Sequence, residues 1–307
     1  MTKQAQKHKT TTTSKNHSSK ATRSVSRKSA SAIDKTKKGS HKRGLLDNER
    51  KKLALEVFAL LLWTVVSVMI SQIIVGWIMM AIMGVDSFVQ PVSQGVYSAL
   101  SYVVAFFMIA WLPAKTKIKW KEWGEAGSKN TRRKRPKIFD RKILGIRGLP
   151  TWTDVGLAPI GFIVSVLLAG VLMSIFSAFP WFNATQSQSL VFSVNVGGFD
   201  RIVAFLTLVV VAPIAEELIF RGWLYGKLRV KSSMIMSNKA SMVVSTLLTS
   251  LLFGIVHLQW NVGVTVFALS VVLCAMREIT GTTYAGILTH MIKNGVAFYM
   301  LFILGVA

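Results

Sequence analysis

The sequence predicts an all-α fold, a polytopic bundle of about seven membrane-spanning helices behind a disordered, basic amino-terminal tail. Three observations carry this reading. First, 51% of the 307 residues are hydrophobic, yet the formal charge is +24, from 37 basic and 13 acidic side chains. Second, the two characters are segregated. Residues 1–52 hold 16 Lys and Arg against 3 acids, residues 114–151 hold 13 against 3, and the rest of the chain is close to neutral. Third, that remainder falls into long apolar runs, each able at about 1.5 Å rise per residue to cross a hydrocarbon layer roughly 30 Å thick. No strand periodicity competes with them.

Taken in order, residues 1–52 form the tail, with 15 Ser and Thr and almost no large apolar side chains, too little to bury for a fold of its own. Spans are expected near 53–83, which is long, and 94–113; together they make an amino-terminal pair covering 53–113. The basic stretch 114–151 is a loop. Residues 152–307 form the main membrane domain, with spans near 155–178, 202–226, 241–258, 262–276, which is short, and 283–305.

Lys and Arg enrichment in short cytoplasmic loops sets the orientation. With the amino terminus in the cytoplasm, the tail, the 114–151 loop and the loop holding Lys227, Arg229, Lys231 and Lys239 share one side, and the opposite loops carry only Asp86, Asp200 and Arg201. The expected location is a cell membrane, crossed several times. The tail lacks the short apolar core of a signal peptide and suits anionic lipid as a partner better than nucleic acid. The single cysteine, Cys274, excludes an intramolecular disulfide and a cysteine metal cluster. No phosphate-binding loop, dinucleotide fingerprint or internal repeat is present.

Against this apolar background, the run APIAEELIFRGW at 212–223 carries Glu216, Glu217 and Arg221. Charge at bilayer depth costs several kcal/mol, so such side chains face a protein interior or a wet cavity. Glu217 and Arg221, four positions apart, share a helix face in the favourable order for an ion pair. Glu216 points about 100° away and is left available. Pro213 removes an N–H and opens backbone carbonyls one turn earlier. Of five histidines, only His257 and His290 lie in the membrane region. His257 follows Phe253 by four residues and His290 precedes Asn294 by four, so two further spans present polar faces. Lys293 is expected to turn toward an interface and is given no role.

A carboxylate beside an imidazole can take a proton from water, and a second imidazole with an amide can hold the oxyanion formed when water attacks an amide carbonyl. The ordered motifs Glu216-Glu217-Leu-Ile-Phe-Arg221, Phe253-Gly-Ile-Val-His257 and His290-Met-Ile-Lys-Asn294 resemble those of the CPBP intramembrane proteases. That family groups CAAX prenyl endopeptidases with bacteriocin-processing and self-immunity proteins of the Abi type. The resemblance, over about 155–305, implies a membrane endopeptidase with Glu216 as general base and His257 helping to activate water. It further implies that Glu217 is fixed by Arg221 and that His290 and Asn294 hold the oxyanion. Its substrate would be a membrane-associated protein or peptide.

Glu216, His257 and His290 are also candidate zinc ligands, since three protein donors and a water complete a catalytic zinc site. The HExxH arrangement is absent, and the expectation is a carboxylate-activated water with no obligatory metal. Two other functions stay open: a non-catalytic scaffold or immunity protein on the same fold, and a proton-coupled transporter, which the lack of matching half-sequences disfavours. One geometric difficulty stands. Along straight helices His257 lies roughly 27 Å from Lys239, His290 about 12 Å past the Gly281–Thr282 turn and Glu216 about 17 Å from Lys227, so their depths disagree.

Overall fold

A computed structural model describes residues 16–115, 141–186 and 197–305. The all-α expectation holds: among the described residues there is no strand, and seven helices are long and apolar enough to cross a membrane. These are Lys51–Met83, Pro91–Ile109, Trp152–Phe176, Gly198–Ser232, Asn238–Ile255, Trp260–Thr280 and Tyr284–Ile303, the first to seventh spans below. Most of the 114–151 loop lies outside the described residues.

Two compact units make up the chain, Met1–Leu55 and Glu56–Ala307. In the first, helix begins at Asn16. Residues 1–15 of the expected disordered tail lie outside the described residues.

Within the second unit the sixth span is central. Half of its apolar window is buried, and it packs against the third, fifth and seventh spans. The surfaces between spans include small hydroxyl side chains, with Ser165, Ser241, Ser245, Thr249, Ser250, Ser270 and Thr289 all buried, while many Leu, Ile and Val side chains face outward. Lipid tails are as apolar as leucine, so helices in membranes associate through close packing and hydrogen bonds, which small residues permit. The fifth and sixth spans touch backbone to backbone: a Cβ on Gly254 would stand 2.9 Å from the Gly263 carbonyl oxygen. Gly222 and Gly226 of the fourth span receive the Leu144 and Ile143 backbone in the same way, seating the short helix Arg141–Leu144.

The sixth span runs to Thr280, beyond the end of its apolar run at Met276. Its last turn is charged but partnered. Arg277 donates to the carbonyls of Gly281 and Ile143, and Glu278 accepts from Arg229 Nε at 2.6 Å and from the Tyr225 hydroxyl at 2.8 Å. The fourth span is extended to Ser232 for the same reason, with Arg229 bonded to Glu278 and Ser241 and Lys231 paired with Glu56. Gly281, at φ 69°, supplies the left-handed residue that ends the sixth span and starts the short turn into the seventh. That turn is tied to the third span, whose capping residue Thr151 and partner Asp154 close its first turn while Asp154 Oδ1 accepts from Thr282.

Candidate active site

The fourth span is not a uniform α-helix. Regular α turns at Ala212–Glu217 sit between wider π segments at Leu206–Val211 and Leu218–Leu224. Such widened turns cluster at functional sites because they free backbone groups. Here the freed group can be named. The Ala212 N–H bonds the Thr207 carbonyl, five residues back, and the next residue, Pro213, has no N–H. The Leu208 carbonyl therefore loses both helical donors, and Asn294 Nδ2 of the seventh span donates to it at 2.8 Å.

One turn further along, the two glutamates separate. Glu217 is fully buried and accepts from Arg221 Nη1 at 2.8 Å, forming the pair expected from the four-residue spacing. The same oxygen, Glu217 Oε1, accepts from His290 Nδ1 at 3.1 Å. Because an ionised carboxylate only accepts, this contact places the ring proton on Nδ1 and turns Nε2 toward Glu216. Glu216 Oε2 stands 3.8 Å from His290 Nε2, too far for a direct hydrogen bond and a separation that one water molecule can bridge. Glu216 Oε1 accepts from the Tyr102 hydroxyl of the second span at 2.6 Å. Glu216 is thus free of Arg221, as the helix geometry required, but it is held from elsewhere.

Phe253 joins the halves of the site. Its fully buried ring packs edge to face with His257 at 4.9 Å and His290 at 6.0 Å between centroids, and the Arg221 guanidinium lies 4.3 Å over its face. His257 sits in the turn after the fifth span, but helical side chains lean toward the amino terminus, and its ring folds back one turn onto Phe253. His257 Nδ1 donates to the Phe253 carbonyl at 2.7 Å, leaving Nε2 as the acceptor.

The structure therefore brings Glu216, Glu217, Arg221 and His290 into direct contact range. It places His257 behind the same phenyl ring and Asn294 one turn beyond His290. The imidazole of His290 stands within one-water reach of Glu216. Two contributors were not foreseen. Lys293, expected to point to an interface, acts electrostatically on both Glu216 and His257; its place three residues after His290, on the same helix face, was the available signal. Tyr102 gave no signal of comparable strength. Among the described residues, no group of three or more His, Cys, Asp or Glu side chains is placed to hold a metal ion. The candidate ligands Glu216, His257 and His290 do not make up such a group.

A glycine keeps the buried carboxylate in place. A Cβ on Gly286 would lie 3.2 Å from Glu217 Oε2. Gly286→Ala is expected to push the carboxylate off Arg221 and His290, costing about 1–3 kcal/mol of stability, the usual range for overpacking, together with most of any turnover. Gly170→Ala, where the added methyl meets nothing, should leave both unchanged. Denaturant unfolding of both variants in detergent checks this.

No curated protein and no solved structure matches the chain. A protein-family comparison does find a match, over residues 198–296, to the family described as type II CAAX prenyl endopeptidase Rce1-like. All six polar residues singled out in the sequence, Glu216, Glu217, Arg221, His257, His290 and Asn294, fall inside the matched segment, and this similarity is consistent with the CPBP family of intramembrane proteases.

Proposed function

We propose that this chain is a glutamate-dependent intramembrane endopeptidase of the CAAX type. The observation that supports it best is the pairing of Glu216 and His290 across a gap the width of one water, with Glu217 and Arg221 buried behind the imidazole. In this reading a water lies between Glu216 Oε2 and His290 Nε2. Glu216 takes its proton as the oxygen attacks the scissile carbonyl, and the Glu217 contact fixes the imidazole tautomer that orients it. The Asn294 amide spends one hydrogen on Leu208 and keeps a second for the oxyanion. On collapse of the intermediate, the proton on Glu216 passes to the leaving amine, giving a new carboxyl terminus and restoring the carboxylate.

The substrate class is a membrane-associated protein or peptide cut near its carboxy terminus. The basic 114–151 loop and the tail, placed on the cytoplasmic side by their charge, gather such substrates or anionic lipid. The test uses the full chain in nanodiscs and a quenched-fluorescent CAAX-type peptide, with and without a farnesyl group on its cysteine. Cleavage on the carboxyl side of the cysteine is expected, unaffected by phenanthroline or EDTA. Chelator inhibition reversed by added zinc would replace the water step above with a metal-dependent one. Absence of cleavage of either peptide would remove the CAAX assignment.

A further inference from the structure

We propose that Tyr102, which lies outside the Rce1-like segment, is the positioning residue that selects which oxygen of Glu216 reacts. This inference rests on the peptidase reading of the site. Its starting point is the second span, which reaches the polar cluster through the Tyr102 hydroxyl, 114 positions from its partner in sequence. The O–H donates to Glu216 Oε1 at 2.6 Å, the length of a charge-assisted bond to a carboxylate. The two oxygens of Glu216 are thereby made unlike. Oε1 is occupied by the phenol, and Oε2 is directed at His290 Nε2.

This is the direct hydrogen bond that holds the carboxylate. Glu217 is fixed by Arg221 and His290, whereas Glu216, one residue before the end of the α turns, forms no ion pair with Arg221. A glutamate side chain gives up rotamer freedom when ordered. A general base must be held in hydrogen-bonding reach of its water, and a misplacement of about 1 Å is enough to cost roughly 100-fold in rate. The Tyr102 ring is itself set, packed against the buried cluster that contains Phe253, Phe220 and Leu224. The phenol acts through Glu216 and touches neither water nor peptide.

The experiment has two arms, both on the full chain in nanodiscs. In the first, Tyr102→Phe keeps the ring and its packing but removes the donor. Turnover of the farnesylated peptide probe is expected to fall roughly 10-fold, the scale of losing one hydrogen bond to a charged group, with KM within about twofold of native. A purely structural role would change unfolding and KM and leave no selective loss in kcat. The second arm needs no turnover. With 3-fluorotyrosine at position 102, the fluorine resonance is expected to move on Glu216→Gln and to stay put on Asp86→Asn. Native kcat in Tyr102→Phe, or a fluorine signal indifferent to Glu216→Gln, overturns the inference. A native chain that cuts no probe while the fluorine still responds to Glu216→Gln overturns the peptidase reading, and with it a part for Tyr102 in turnover.

Discussion

Glu216→Gln is expected to lower probe cleavage by roughly 10²–10⁴-fold, the range that general base catalysis supplies, while leaving the protein folded. The substitution preserves size and can still engage Tyr102, so packing is retained, but an amide cannot take a proton from water. Glu216 is the more exposed of the two acids, with 16% of its side-chain surface accessible against none for Glu217, so loss of its charge should cost less stability than loss of Glu217. The measurement is kcat in nanodiscs alongside detergent unfolding of the same preparation. Glu216→Asp, which withdraws the carboxylate by one methylene from both Tyr102 and His290, should also lose about 100-fold. Cleavage at the native rate by Glu216→Gln would remove Glu216 as the base.

Much of this arrangement can be read from the sequence because two of its determinants are local. Bilayer thickness fixes helix length, so the apolar runs locate seven spans without knowledge of their packing. Helix pitch fixes which side chains four apart can meet, so the Glu217–Arg221 pair follows from spacing alone. What escaped the sequence is nonlocal or depends on departures from ideal pitch. Tyr102 meets Glu216 across 114 positions, and no periodicity relates them. Pro213 signalled a loosened turn, but not the wide segments on either side of Ala212–Glu217, nor the pairing of Leu208 with Asn294 of the seventh span. Arg277 and Glu278 seemed to end a span. They continue it, because Arg229 and the Gly281 carbonyl partner them.

Breaking the Glu217–Arg221 pair is expected to be the most destabilising change available in this site. Both side chains are essentially inaccessible, Glu217 at 0% and Arg221 at 1%. Removing either partner leaves the other charge buried without compensation, a loss of about 3–5 kcal/mol. Arg221→Met should sit at the upper end, because the stack of the guanidinium on Phe253 goes as well, and Arg221→Lys should recover little, since an ammonium reproduces neither the stack nor the planar donor geometry. The double variant Glu217→Gln with Arg221→Met removes both charges at similar volume and should regain most of the stability lost by either single change. Turnover should not return with it. His290 Nδ1 would face a neutral amide in place of the carboxylate that holds its tautomer, and the imidazole could rotate away from Glu216. The check is a double-mutant cycle read twice, by SDS-driven unfolding and by peptide cleavage. Stability and activity recovering together would mean that the pair only holds the fold, whereas recovery of stability alone identifies Glu217 as the group that orients His290.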